Sequence, residues 1–258
     1  ASARTSIDEK RTVNEMKAIF AAGGTAGHIN PALAIADRLK SVFPDAQILF
    51  IGTPSGMESR LVTKAGYDFE GVEMAGFQRR LSVKNIGRNI KAAYCYFISA
   101  KARVRRILKD FAPDVVIGTG GYVTATVLGQ ACALGIKTVT HESNSYPGMA
   151  TKMLCKKADR VLLASEDAKK HLSAPERCIV TGNPLRSNIQ IEDREAARKR
   201  LGLPEGFTVL SFGGSLGANR ITEAVAELIA WEGRKGGINH IHSYGAKGKD
   251  LFYSALEA

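Results

Sequence analysis

Residues 19–28 read Ile19-Phe20-Ala21-Ala22-Gly23-Gly24-Thr25-Ala26-Gly27-His28, which is an apolar strand, a glycine-rich turn and the start of a helix. The same order recurs as Val115-Val116-Ile117-Gly118-Thr119-Gly120-Gly121 and as Val209-Leu210-Ser211-Phe212-Gly213-Gly214-Ser215-Leu216-Gly217-Ala218. Glycines let backbone N–H groups approach a ligand, and the helix N-terminus behind them carries about half a positive charge. The three turns therefore predict anion sites, most often for phosphate, and more than one phosphate-bearing ligand.

Short apolar strands alternate with helices along the whole chain, which predicts an α/β fold with a parallel sheet covered on both faces. Strands are predicted at 17–22, 47–51, 69–74, 114–117, 137–140, 160–164, 178–181 and 207–212. Helices are predicted at 31–43, 85–109, 122–134, 147–155, 166–172, 192–201 and 217–232, followed by an irregular end. Ligands of such sheets bind at the carboxyl ends of the strands, where all three glycine turns fall.

The turn Gly182-Asn183-Pro184 predicts a hinge, because glycine and proline interrupt both neighbouring elements. We therefore expect a leader at 1–15 that is appended or disordered, an N-terminal domain at 16–182 and a partial C-terminal domain at 183–258. The 258 residues are 45% hydrophobic and 24% charged, as in soluble globular proteins. Four widely spaced cysteines, without a CxxC pair, predict buried thiols in a reducing cytosol, with no disulfide framework or zinc site: Cys95, Cys132, Cys155 and Cys178.

The positive charge of the chain is concentrated in one segment. Residues 74–109 hold ten Lys or Arg and no acidic residue, so of the net charge of +11 only 11 − 10 = +1 lies elsewhere. Apolar side chains are interleaved with these cations, which favours an anionic membrane surface as the ligand. The predicted patch comprises Phe77, Arg79, Arg80, Leu81, Lys84 and Arg88. Nucleic acid is the rival ligand, and a solvated helix face with a core stripe is the alternative without a ligand.

His28 follows Gly27 at the mouth of a helix, where an imidazole can act as a general base at neutral pH. A helix-capping histidine is the alternative. The string His141-Glu142-Ser143-Asn144 ends a strand, so Asn144 is placed to bind a ligand hydroxyl, while His141 and Glu142 could form a structural polar pair. Neither a Walker loop nor a strict GxGxxG occurs, which argues against nucleoside-triphosphate and NAD chemistry.

Arg186, just after the hinge, could reach phosphate from between the lobes, although a solvated arginine is the commoner outcome. His240 and His242 would share one face of a strand. No carboxylate or cysteine partner is evident near these two histidines in the sequence, so no metal site is predicted.

Together the strings resemble the MurG family of bacterial glycosyltransferases. The resemblance is carried, in order, by Gly23-Gly24-Thr25-Ala26-Gly27-His28-Ile29, Pro31-Ala32-Leu33-Ala34, Gly118-Thr119-Gly120-Gly121-Tyr122-Val123, His141-Glu142-Ser143-Asn144, Gly182-Asn183-Pro184-Leu185-Arg186 and Gly213-Gly214-Ser215-Leu216-Gly217-Ala218. It implies a GT-B fold of two Rossmann-like lobes. It also implies an inverting, metal-independent transfer, with no cofactor, of N-acetylglucosamine from UDP-GlcNAc to the C4 hydroxyl of lipid I, which makes lipid II for peptidoglycan. The implied location is the cytoplasmic face of the cell membrane, with no nucleic acid as partner.

The resemblance also implies roles for individual residues. His28 would be the base for the acceptor hydroxyl. The lipid I diphosphate would lie on the first two turns, at Gly23, Gly24, Gly118, Gly120 and Gly121. UDP-GlcNAc would contact Thr25, Ala26, Gly27, Asn144, Arg186 and Ser215. The third turn, with Gly213, Gly214 and Gly217, would stabilise the leaving UDP.

The sequence departs from the family pattern at Ala26, where glycine is usual, and at Ser143, where glutamine is usual. It also stops before the acidic and glutamine residues that hold ribose and sugar in the family. We therefore expect an incomplete donor site, weak UDP-GlcNAc affinity and little turnover from residues 1–258. The alternatives are a non-catalytic module that binds the acceptor and the membrane, or another GT-B lipid glycosyltransferase.

Overall fold

The computed structural model describes residues 16–74, 86–186, 189, 191–214 and 217–257, and of residues 86–97 it describes the helical backbone only. The chain divides into two compact units, Ala1–Ile189 (unit 1) and Gln190–Ala258 (unit 2). The division follows Ile189, whereas the sequence places the hinge at Gly182-Asn183-Pro184.

Unit 1 contains a parallel sheet with helices packed against it. Within the described residues the sheet has seven strands, in the order β3-β2-β1-β4-β5-β6-β7. The strands are β1 (Lys17–Ala21), β2 (Gln47–Gly52), β3 (Asp68–Gly71), β4 (Val115–Gly118), β5 (Lys137–Glu142), β6 (Arg160–Leu163) and β7 (Cys178–Val180). The helices are α1 (Ala26–Val42), α2 (Met57–Lys64), α3 (Ile86–Phe111), α4 (Gly121–Ala133) and α5 (Met149–Leu154), with short 3₁₀ turns at Glu166–His171 and Pro175–Arg177. The predicted α/β class with a parallel sheet is confirmed.

The order of the strands reverses between β1 and β4, which pair in register from Ala18 and Val115 to Ala21 and Gly118. Strands β2 and β3 continue the sheet on one side of this point, and β5, β6 and β7 continue it on the other. Open parallel sheets bind ligands at such a switch point, outside the carboxyl ends of the strands. The first and second glycine turns directly follow β1 and β4, so they flank the switch point.

Aromatic and aliphatic side chains bury both faces of this sheet. On one face Phe20 of β1 stacks on Phe50 of β2 with ring centroids 5.0 Å apart, and Tyr67 lies 5.3 Å from Phe50. On the other face Val104 and Leu108 of α3 pack in the core with residues of β1, β4 and α4. The alternating strand residues therefore hold helices on both sides, as the near-continuous apolar strands predict.

Two differences from the predicted elements concern the site. Helix α1 begins at Ala26 and not near Pro31, because extended Thr25 caps it and the carbonyl of Thr25 accepts from the N–H groups of His28 (3.0 Å) and Ile29 (3.2 Å). Pro31 lies inside the helix, at the cost of one backbone hydrogen bond. Helix α2 was not predicted, although it follows the carboxyl end of β2.

The basic segment is described only in part. Phe77, Arg79, Arg80, Leu81 and Lys84 lie outside the described residues, and Arg88 lies in α3 where only the backbone is described. In the described half of α3, Val104 and Leu108 are buried and Arg105 is exposed, which is the solvated helix face with a core stripe. Among the described helices, none is long and apolar enough to cross a membrane.

Unit 2 consists of a parallel pair of strands with three helices in its described residues. In chain order these are α6 (Arg194–Arg200), β8 (Phe207–Phe212), α7 (Asn219–Lys235), β9 (Ile238–Ser243) and α8 (Lys249–Glu257). The prediction of an irregular end after residue 232 is wrong, because β9 pairs with β8 along its whole length and α8 packs on α7. Cys132, Cys155 and Cys178 are free thiols in unit 1, but of these three only Cys155 is fully buried, in a core cluster against which the half-buried Cys178 packs. Cys95 lies in the part of α3 where only the backbone is described.

Replacing Phe50 by alanine should destabilise unit 1 by about 3–5 kcal/mol, because the ring is buried and stacks on Phe20. Hydrogen exchange of the β1 and β2 amides measures this loss within unit 1. Val42→Ala is the control, since Val42 is 52% exposed, and it should change the same exchange free energies by less than about 0.5 kcal/mol. Equal effects of the two substitutions would contradict the proposed packing.

Candidate active site

The first and second glycine turns lie against each other at the switch point. A Cβ atom on Gly121 would lie 2.4 Å from the carbonyl oxygen of Gly23, so the two backbones touch. Gly121 has φ of +83° and Gly120 has φ of +116°, a region in which side chains are strained. Because of this close approach, the two turns form one continuous surface inside unit 1.

His28 lies in the first turn of α1, beside the second glycine turn. Its Nδ1 lies 3.0 Å from the carbonyl oxygen of Gly23, which can only accept, so Nδ1 carries a proton and, in the neutral ring, Nε2 keeps its lone pair. A Cβ atom on Gly120 would lie 2.5 Å from Cδ2 and 3.0 Å from Nε2 of His28. Glycine at position 120 therefore leaves room for the ring, and His28 has the tautomer that a general base at Nε2 requires.

Two threonines fasten the second turn to the first. Thr119 Oγ1 donates to the carbonyl oxygen of His28 at 2.6 Å, and Thr124 Oγ1 lies 2.8 Å from the carbonyl oxygen of Ala21. Thr124 Oγ1 also accepts from the N–H of Gly120 at 3.2 Å. Both hydroxyls come from residues at or just after the carboxyl end of β4, so the second turn is fixed to β1 and α1.

The helices that follow the three glycine turns each have an uncapped N-terminus. Helices α1, α4 and α7 each begin without a side-chain cap and without an acidic residue in the first turn. Helix α6 shows the contrast, because Asp193 caps it and Glu195 lies in its first turn. Helices α1, α4 and α7 therefore have neither a capping side chain nor a first-turn carboxylate of their own at the positive end, which favours an anion site there.

A buried carboxylate orients Asn144 at the end of β5. Glu142 Oε1 accepts from the backbone N–H and from Nδ2 of Asn144 at 3.0 and 2.7 Å. Its Oε2 accepts from the N–H of Gly148 at 2.8 Å and from Oγ1 of Thr151 at 2.7 Å. Because Nδ2 is bound to Glu142, the side chain of Asn144, an exposed residue, keeps its Oδ1 to accept from a ligand hydroxyl.

The charge on Glu142 is stabilised by these bonds. Burial by itself would raise the pKa of the carboxyl, but the hydrogen bonds from Thr151, Asn144 and Gly148 outweigh it and hold the pKa below 4.5. His141 points elsewhere, with Nε2 3.3 Å from the carbonyl oxygen of Gly182. Burial lowers the pKa of His141, which favours the neutral ring. His141 and Glu142 thus fill separate structural positions.

Arg186 is bound to helix α1. Its Nε lies 3.3 Å from Oδ2 of Asp37, whose Oδ1 accepts from the hydroxyl of Tyr67 at 2.7 Å. Burial raises the pKa of the Tyr67 phenol and the bond to Asp37 adds to this, so the phenol keeps its proton. Arg186 is therefore not freely solvated, because its guanidinium pairs with Asp37. A ligand would have to share the arginine with Asp37.

The third glycine turn belongs to unit 2, between β8 and α7. The N–H of Gly217 donates to the carbonyl oxygen of Gly214 at 3.1 Å, and both glycines have φ of +83°. A Cβ atom on Gly213 would lie 2.6 Å from the backbone nitrogen of Ala218, so the turn is tight. Ser215 lies outside the described residues, and its predicted donor contact stays a prediction.

His240 and His242 share one face of β9, as predicted, but the expectation that no carboxylate lies near them is wrong. Nδ1 of His240 lies 2.6 Å from Oε2 of Glu232, and both side chains are buried. Ser211 Oγ lies 2.7 Å from Nε2 of His240 and 2.8 Å from Nδ1 of His242. Helix α7 brings Glu232 onto this face, which the sequence did not reveal. In the described part of the chain no three metal-binding side chains come together.

Sequence reasoning missed three residues that shape the site: Glu58, Asp37 and Thr119. Glu58 accepts from the N–H of Gly24 at 3.2 Å. A signal for it existed, because Gly52 ends β2 and Gly56 precedes α2, which repeats the pattern of strand, turn and helix. Asp37 gave no signal, since its partner Arg186 is 149 positions away in the sequence.

Comparison with known proteins gives consistent results. The profile of the glycosyltransferase family 28 N-terminal domain matches residues 18–163. The UDP-N-acetylglucosamine–N-acetylmuramyl-(pentapeptide) pyrophosphoryl-undecaprenol N-acetylglucosamine transferase of Acetivibrio thermocellus is 45% identical over 215 residues, covering 83% of this chain and 57% of the relative. The protein of the same name from Desulforudis audaxviator is 39% identical over 243 residues, covering 94% of this chain and 64% of the relative. The chain therefore spans about three fifths of the length of these relatives.

A solved structure shows the same fold. The crystal structure of MurG from Acinetobacter baumannii superimposes with a TM-score of 0.65 at 24% sequence identity. The match covers 94% of this chain and 62% of that structure.

Replacing Glu142 by glutamine should lower the unfolding free energy of unit 1 by about 1–3 kcal/mol at pH 7, since a neutral amide cannot accept all four bonds. The pKa of Glu142 is lowered in the fold, so its contribution is present above 4.5 and is lost as the pH falls through the lower folded value. The difference between wild type and Glu142→Gln, measured by hydrogen exchange of the β5 amides, should therefore shrink as the pH falls below 4.5. Glu166→Gln, at a side chain that is 69% exposed, should show neither effect. A difference that is constant with pH would contradict this role of Glu142.

Proposed function

The chain belongs to glycosyltransferase family 28, and from that premise we propose that it takes part in making lipid II. The proposed reaction transfers N-acetylglucosamine from UDP-GlcNAc to the C4 hydroxyl of the muramoyl unit of lipid I. The names of the two relatives describe this donor sugar and this acceptor. The observation in this chain that supports the proposal most is His28, whose Nδ1 is tied to Gly23 and whose Nε2 faces the second glycine turn.

In the proposed mechanism, Nε2 of His28 takes the proton of the C4 hydroxyl as that oxygen attacks C1 of N-acetylglucosamine. The bond from C1 to the UDP oxygen breaks on the opposite face, so the anomeric configuration inverts. The acceptor diphosphate lies on the joined first and second turns, where the open N-termini of α1 and α4 supply positive charge. The uncapped start of α7 behind the third turn does the same for the leaving UDP, in place of a metal ion.

The donor contacts in this proposal are Thr25, Ala26, Gly27, Asn144, Arg186 and Ser215. Asn144 accepts from a donor hydroxyl through Oδ1, since Glu142 holds its Nδ2. Arg186 divides its charge between Asp37 and a donor phosphate. We propose unit 1 as the domain that binds the acceptor at the cytoplasmic face of the membrane, and unit 2 as part of the domain that binds the donor.

A second candidate function is an acceptor-binding module without turnover. It is favoured by the location of the joined turns and His28, which lie wholly within unit 1. Incubation of residues 1–258 with radiolabelled UDP-GlcNAc and a soluble lipid I analogue separates the two candidates. Product formation supports the transferase. Binding of the analogue without product supports the module, and transfer to diacylglycerol in place of lipid I would indicate a different lipid glycosyltransferase.

His28→Ala should reduce the rate of transfer by about a hundredfold to ten-thousandfold while donor affinity stays within a few fold, because the base acts on the acceptor hydroxyl. The rate is measured with the radiolabelled donor, and the affinity by calorimetry. His171→Ala removes an exposed histidine and should leave both quantities unchanged. Equal losses of rate and donor affinity in His28→Ala would contradict its assignment as the base.

Charge reversal of Arg79, Arg80 and Lys84 to glutamate should weaken binding to phosphatidylglycerol vesicles. Each cation near an anionic surface contributes about 1 kcal/mol, so three should account for at least roughly a hundredfold in affinity at low salt. The effect should fade as salt is raised. Reversing Lys64, Arg234 and Lys247, which are exposed, makes the same change in net charge and should have a much smaller effect. Equal effects would mean that net charge and not the patch drives binding.

A further inference from the structure

Glu58 is a buried carboxylate under the first glycine turn. Its exposed fraction is 1%, and it lies in the first turn of α2. Oε1 accepts from the N–H of Thr53 at 3.0 Å and from Oγ1 of Thr53 at 2.6 Å, while Oε2 accepts from the N–H of Gly24 at 3.2 Å. All three groups donate to the carboxylate, which lies in the first turn of α2, where the positive end of a helix stabilises negative charge.

Three glycines, one in the first turn, one at the end of β2 and one just before α2, leave the space that this side chain occupies. A Cβ atom would lie 2.9 Å from Oε1 of Glu58 if placed on Gly23, 2.5 Å from its Cγ on Gly52, and 2.4 Å from its Cδ on Gly56. Thus three positions without a side chain surround one carboxylate. Such a cradle indicates a fixed position for the Glu58 side chain.

A single peptide group joins Glu58 to His28. The N–H of the peptide between Gly23 and Gly24 belongs to Gly24 and donates to Glu58, while its C=O belongs to Gly23 and accepts from Nδ1 of His28. We propose that Glu58 is a positioning residue for His28. Glu58 acts through this peptide to fix the Nδ1–H tautomer and the orientation of the His28 ring. Its meaning for catalysis rests on the proposed function.

The physical basis is polarisation of the peptide group. A carboxylate that accepts from the N–H shifts electron density toward the carbonyl oxygen, which becomes a stronger acceptor for His28 Nδ1–H. No proton passes along the peptide, so the carboxylate acts only through its charge and geometry. The arrangement serves the same purpose as a carboxylate bonded directly to a histidine, which holds the tautomer and orients the ring.

The bond from Gly24 to Glu58 also decides which N–H groups of the first turn remain for a ligand. The N–H of Gly24 is taken by Glu58 and is not available to a phosphate. The amides of Ala26 and Gly27, at the first two positions of α1, have no acceptor inside the helix. An anion on this turn is therefore bound by the helix start, while Gly24 holds the turn from behind.

The tautomer of His28 can be measured directly on residues 1–258 without any substrate. Nitrogen-15 chemical shifts of the five histidines distinguish the two tautomers, and His28→Ala identifies the His28 signals. In Glu58→Gln, the ratio of the Nδ1–H to the Nε2–H form of His28 should fall by about tenfold, because the charge-assisted bond to Gly24 is lost. Thr53→Val removes another bond of the same carboxylate but keeps the bond to Gly24, so it should leave the ratio unchanged.

Equal changes in Thr53→Val and Glu58→Gln, or no change in Glu58→Gln, would overturn the proposal. If Glu58→Gln does not fold, Glu58→Asp, which shortens the side chain and withdraws it from Gly24, serves as the second variant with the same expected direction. Glu232→Gln is a matched control for loss of a buried carboxylate, and it should alter the signals of His240 and not those of His28.

Transfer activity gives the second measurement if residues 1–258 catalyse the transfer. Glu58→Gln should reduce kcat by about tenfold to a hundredfold with KM for UDP-GlcNAc within a few fold, by analogy with the range for metal-bound histidines that lose their outer hydrogen-bond partner. In the His28→Ala background the same substitution should have no further effect on kcat. Additive losses would overturn the proposal. Because the tautomer is measured without substrate, an absence of turnover would count against the proposed function and leave the tautomer result as the test of Glu58.

Discussion

The contact between the backbones of the first and second glycine turns is the constraint on which the site depends. Gly121 touches the carbonyl oxygen of Gly23, and Gly120 leaves space for the ring of His28, so a side chain at either position would push the turns apart. The contact arises because β1 and β4 are neighbours where the strand order reverses. Their carboxyl ends open into one crevice, and the helices that follow aim their N-termini into it.

Two buried carboxylates organise this crevice from behind. Glu58 accepts from Gly24 and Thr53 beneath the first turn, and Glu142 accepts from Asn144, Gly148 and Thr151 at the end of β5. Each carboxylate receives several donors, which offsets the cost of its burial. The two carboxylates therefore fix the backbone at Gly24, Asn144 and Gly148. The amides at the start of α1 remain for a ligand.

The fold was largely readable from the sequence in unit 1. Apolar β-branched strands and glycine turns placed seven strands within a few residues, because burial on both faces leaves a strong local pattern. The pattern was weaker where helices are short or polar, so α2 was missed, and with it Glu58. In unit 2, β9 was missed because His240 and His242 interrupt the apolar alternation, and their partners Ser211 and Glu232 lie on other elements.

The sequence by itself determined the α/β class, the three turns, and His28 and Asn144 as candidate site residues, because these follow from local patterns of glycine and strand. Only the tertiary structure decided which turns meet, which nitrogen of His28 carries the proton, and that Arg186 shares Asp37 with Tyr67. Those features depend on contacts between residues far apart in the chain. Strand pairing creates such contacts, and no local pattern records them.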